Sequence, residues 1–86
     1  MTILENLEIH YQKALENIEH IEVLCQTLWE IEMRLPKDTL VAWHDKVLEL
    51  ANQNSKHYPK GLALAQVAMG IFKFYLSEYD LSLIHI

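Results

Sequence analysis

Five histidines, one cysteine and a surplus of carboxylates are the side chains here that could do chemistry, and their spacing decides which chemistry is open to them. His10, His20, His44, His57 and His85 are scattered along the chain; no two stand four apart as a helical zinc pair would, and no HExxH occurs. His20 and Glu16 lie about one helical turn apart and could offer two ligands, short of the three or four that a zinc site takes from protein, so no metal is expected. His44 adjoins Trp43 on a mostly apolar side and reads as a semi-buried histidine with its polar atoms satisfied. Cys25 falls on an apolar stripe with no histidine or lysine placed by sequence to deprotonate it, which describes a buried, inert thiol. Ser55 and Ser77 lack a G-x-S-x-G setting, and Gly61 and Gly70 are too far apart to make a phosphate loop. A small helical-bundle enzyme would need convergent ionisable residues, and the spacing supplies none. The expectation is therefore no catalytic residue, no cofactor and no enzymatic activity in this stretch.

Charge narrows the partners. Residues 1–35 carry seven glutamates (Glu5, Glu8, Glu16, Glu19, Glu22, Glu30 and Glu32) against Lys13 and Arg34, while the remainder is balanced. Phosphate binding needs a basic surface, so nucleic acid and anionic membrane are disfavoured. The acidic segment reads as a solvated helix face or as a docking surface for a basic partner. No apolar run approaches a membrane span, and no secretory signal opens the chain, which makes the cytoplasm the default compartment.

The elements that would position these side chains are helices. Two glycines and two prolines in 86 residues are too few for the many turns of an all-β fold, and a lone cysteine excludes an internal disulfide framework. Thr2 and Glu5 form a capping-box pattern, and Leu4, Leu7, Tyr11, Ala14, Ile18, Ile21, Cys25 and Leu28 then recur in steps of three and four. One continuous helix is expected from there to Arg34 or Leu35, stopped by Pro36. A second is expected over Leu40–Gln53, capped by Asp38 or Thr39, and a third over Lys60–Leu76. Ser77-Glu78 would turn into a truncated fourth helix opening at Tyr79. The small residues Ala65, Ala68 and Gly70 mark the expected helix crossing, where a neighbour packs close over missing side chains.

The stretch Gly61–Asp80 resembles the first helix and turn of a tetratricopeptide repeat, whose pattern is W-x₂-L-G-x₂-Y. Gln66 takes the Trp place, Met69 the Leu place, Gly70 the Gly and Lys73 the Tyr place, and Tyr79 matches the aromatic that opens the second helix. Val47–Ala51 followed by Lys60–Ala65 resembles a divergent subgroup that lies N-terminal to bacterial signalling outputs, often GGDEF-type diguanylate cyclases and sometimes histidine kinases. The resemblance implies an all-α fold of antiparallel helical hairpins, three full helices and a truncated fourth. It also implies a sensory or protein-interaction role in signal transduction, with catalysis in a downstream domain. On that reading Gln66, Lys73 and Phe74 are the candidates for contact with a protein or peptide. A second reading is a coiled-coil dimerisation element, since Leu4 to Leu28 also fit heptad positions and would serve a homodimer. The last six residues, Leu81–Ile86, match the translation of CTG TCT CTT ATA CAC ATC, which resembles a transposon-end adapter of sequencing libraries. They read as a non-native tail, and residues 1–80 as the N-terminal fragment of a longer protein.

Overall fold

Four α-helices make up the structure, a computed structural model that describes residues 2–31 and 34–84, with side chains placed as far as Ser77. They are α1 (Ile3–Glu16), α2 (Ile21–Glu30), α3 (Lys37–Gln53) and α4 (Pro59–Ile84), with a 3₁₀ turn (Ile18–His20) between the first two. No strand occurs among the described residues. The all-α class stands as expected, but the division into elements differs: α2 ends at Glu30 rather than at Arg34 or Leu35, and two further changes are larger.

The expected long first helix is cut at Asn17. Its backbone is extended there (φ −139°, ψ 106°), its N–H donates to the Lys13 carbonyl, and its side-chain oxygen accepts from the Glu19 N–H. An asparagine side chain offers the backbone a local partner that competes with the helical one. The chain leaves α1 at this point and restarts as α2 after the 3₁₀ turn. The second correction is at the other end. No turn forms at Ser77-Glu78, and α4 runs unbroken past Tyr79, because nothing between Gly70 and Ile84 lacks an N–H or needs a non-helical backbone. The expected fourth helix is thus the continuation of the third. The tail expected at Leu81–Ile86 falls where side chains are not described, and His85 and Ile86 lie outside the described residues.

Smaller features follow the sequence more closely. Thr2 Oγ1 accepts from the Glu5 N–H at 3.1 Å and caps α1. α3 begins at Lys37 rather than Leu40, with Pro36 in the capping position and no capping side chain from Asp38 or Thr39. Proline suits that start because the first turn has no use for its missing N–H.

α2 is the hub: it packs against α1, α3 and α4, and Ile21, Leu24, Cys25 and Leu28 are buried on it. They join Leu7 and Ala14 from α1, Trp43, Val47, Leu50 and Ala51 from α3, and Ala65 from α4 in one core. The molecule measures 46 × 30 × 16 Å between Cα atoms, so it is flat and every helix keeps a solvent face. Lys46 ties α3 to α1, with its ammonium 4.2 Å from the Tyr11 ring centre, 4.8 Å from that of Trp43 and 3.9 Å from Glu8.

Candidate functional site: an apolar cleft between the second and fourth helices

Burying the α2 stripe against α4 leaves a wedge open along one side of the contact. Cys25, Leu64 and Ala68 floor this cleft, Trp29 and Val67 stand on its walls, and Glu22, Gln26 and Glu30 edge it, around a volume of about 510 Å³. The walls are the unusual part. Trp29 is 55 % exposed and Val67 56 %, so two large apolar side chains face water beside a floor in which Cys25 and Ala68 are buried.

The floor depends on small side chains. Ala65 and Ala68 are buried at 3 % and 7 % exposure, so both sit in the packed part of α4. Gly70 does not: a Cβ built there meets nothing within 4 Å. The close approach is instead at Gly61, where a Cβ would come within 2.7 Å of the Tyr58 ring and 2.9 Å of Ile21 Cγ2. The crossing therefore lies at the start of α4, nine residues before the glycine that the repeat pattern singled out.

Electrostatics at the cleft are set by Glu22. It accepts from the Tyr58 hydroxyl at 2.6 Å and pairs with Lys60 Nζ at 2.9 Å, and these two contacts hold its carboxyl below the usual carboxylate range. The same bond, helped by burial, pushes the Tyr58 phenol up to about 12, because ionising it would set an anion against an anion. Burial, then the charge of Glu22, pushes the Cys25 thiol up to about 11. A thiol so held stays protonated at neutral pH, and its role in the cleft is that of a small apolar group.

The residues expected to meet a partner are all exposed, but the structure spreads them along α4. Gln66 lines a shallower cleft with Asp45, Leu48, Glu49, Asn52 and Leu62, facing α3. Lys73 and Phe74 are exposed further along the helix, where the Phe74 ring meets Tyr75 edge-on at 6.3 Å. His44 is buried more deeply than expected, at 2 % exposure, its ring 4.6 Å from that of Phe72 and 17° from parallel. Among the described residues no three His, Cys, Asp or Glu side chains gather as a metal site would require.

Sequence reasoning reads Trp29 as core or hairpin packing rather than as part of a groove, and Val67 as one of an apolar stripe covered by a neighbouring helix; the structure leaves both half-exposed. Trp29 carried the available signal: it widens the apolar stripe of α2 beyond the arc that one neighbouring helix can cover. Comparison with family models, with curated proteins and with solved structures finds no match for this chain. No helix among the described residues is long and apolar enough to cross a membrane.

Proposed function

We propose that this chain is a non-catalytic protein-interaction or sensory module of tetratricopeptide-like helices, N-terminal to a bacterial signalling output such as a diguanylate cyclase. The observation that carries the interaction role is the cleft between α2 and α4, apolar on its floor and on both half-exposed walls. Support also comes from the two most extensive packings, α1 on α2 and α3 on α4, which pair consecutive helices as a repeat array does, while α2 packs across the pairs on α4. The proposed occupant is an amphipathic helix of a protein partner. Its apolar face would cover Trp29 and Val67, and basic residues beside that face would meet Glu30 and the acidic surface of the N-terminal segment.

Trp29 reports directly on such binding, because the second tryptophan, Trp43, is already buried at 9 % exposure. A designed Leu/Lys amphipathic peptide should shift Trp29 emission to the blue in a saturable way, and Val67→Glu should abolish the response while helical content is kept. A Leu/Glu peptide of the same pattern should bind much more weakly. An identical response to both peptides, or none to either, would remove the reading.

Exposed aromatics favour a second reading, self-association. Phe74 and Tyr75 on α4 are 59 % and 45 % exposed, whereas Leu7, Ala14, Ile21 and Leu28 of the heptad seam are buried within the chain. A homodimer of this fold would use α4 rather than that seam, and sedimentation of Phe74→Glu against the parent chain separates the two cases.

A further inference from the structure

The fold brings together two histidines that stand ten residues apart in sequence. His10, near the middle of α1, and His20, closing the 3₁₀ turn, place Nδ1 and Nε2 2.8 Å from each other. Their ring centres are 5.1 Å apart and their planes 22° from parallel. That separation of centres is close to the largest two imidazoles can have with nitrogens at 2.8 Å. The rings therefore point at each other edge to edge, nitrogen lone pair toward nitrogen lone pair, in the arrangement of a straight N–H···N bond. A metal would need another geometry: a tetrahedral ion with bonds of about 2.0–2.1 Å draws both lone pairs to one point off the line between the nitrogens. The cation that fits between these atoms is a proton.

We propose that His10 and His20 form a proton-gated latch that holds α1 to the turn leading into α2, closed while one proton lies between the rings and open once both rings are charged. Atom accounting gives the gate. In the neutral pair one ring donates across the line, and the accepting ring carries its own proton on its far nitrogen. A first added proton goes to the free far nitrogen of the donor ring and leaves the bond intact, now charge-assisted. A second has no site except the accepting nitrogen, and two N–H groups then face each other. The cross-link is lost and two like charges are left side by side.

The surroundings act in the same direction. Lys13 on α1 adds positive charge, while Glu30 and Arg34 line the cleft that His10 shares with the end of α2 and offset each other. Burial, the charge at His20 and then Lys13 hold His10 below the ordinary imidazole value. The open latch takes up the second proton more readily than the closed one does. Each unit of pH lost between the ordinary value and the closed-pair value multiplies the open-to-closed ratio by about ten. What opens is the junction at Asn17, the point where the chain leaves α1.

The test is a pH series on the whole chain, following the imidazole resonances of His10 and His20 and amide exchange along α1. The two rings should titrate as a coupled pair in two steps, and the opening of α1, taken as amide exchange divided by its base-catalysed intrinsic rate, should grow about tenfold per pH unit on the way down to the lower step. In His20→Gln, where the amide holds the bond but does not titrate in this range, the lower step and its growth in opening should vanish, with His44 unaffected. Should that variant misfold, the parent titration alone decides. Independent single-step titration of the two rings, or an α1 opening step that survives in a folded His20→Gln, would overturn the latch.

Discussion

Replacing the two glycines of α4 separately should move stability in opposite directions. Neither has a positive φ, so the comparison isolates space from backbone conformation. At Gly70 a methyl group would enter open space, and alanine gains the helix propensity that glycine lacks. Gly70→Ala should therefore stabilise the fold by about 0.5–1 kcal/mol. At Gly61 the methyl would press on two groups that are poorly able to yield. Ile21 is fully buried and its Cγ2 sits on a branched carbon close to the backbone, while the Tyr58 ring is anchored through its hydroxyl to Glu22. Overpacking of this kind costs about 1–3 kcal/mol. The helix gain returns at most about 1 kcal/mol, and less in a first turn, so Gly61→Ala should destabilise by about 1–2 kcal/mol. For a chain of this size each kcal/mol shifts Tm by about 4–8 °C, which circular dichroism melts resolve easily. Equal shifts of the two variants, or a neutral Gly61→Ala, would refute the placement of the crossing at the start of α4. A loss of stability in Gly70→Ala would show that its side of α4 is covered.

Other outcomes follow from named contacts. Glu22→Gln should bring the highest-titrating tyrosine down from about 12 toward 10 in an ultraviolet pH titration, since the charge that opposes phenolate formation is gone; an unchanged curve would contradict the Tyr58–Glu22 bond. Cys25 should react with a disulfide reagent at about pH 8 only as fast as the fold opens, and rapidly in denaturant; fast native reaction would place the thiol outside the core. His44 is held below its ordinary value of 6.5 by burial, so the unfolded chain binds the extra proton more tightly. The stability this confers is whole above 6.5 and falls as pH drops through the folded value, and His44→Phe should flatten that part of a Tm-against-pH curve. Leu24→Ala, at the middle of the hub helix, should cost about 2–5 kcal/mol.

The sequence made the helical class legible because its signals are local: a cap at Thr2, a polar exit after Gln53 and stripes of period 3.6, whereas Pro36 opens α3 and the helix it was expected to stop has already ended at Glu30. It concealed the break at Asn17 for a physical reason. Ala14, Ile18 and Ile21 keep the helical step across it, so periodicity reads straight through a change of direction that one side-chain hydrogen bond makes. The histidine latch was hidden with it, since His10 and His20 meet only because the chain turns there. The expected turn at Ser77-Glu78 rested on no residue that ends a helix, and α4 continues through it. Of the small-residue crossing, Ala65 and Ala68 were readable from the stripe. Gly61 and Gly70 look alike in sequence and differ only in what stands across from them. Trp29 and Val67 were visible as apolar residues, but that they remain half-exposed depends on how α2 and α4 meet.

The interaction role is tested most directly by mapping amide and side-chain shifts of the isotope-labelled chain as the Leu/Lys amphipathic peptide is added. Perturbations should concentrate at Cys25, Trp29, Leu64, Val67 and Ala68, with the faces of α1 and α3 away from the cleft silent. Saturable shifts centred on any other surface, or none at the α2–α4 cleft, would contradict it.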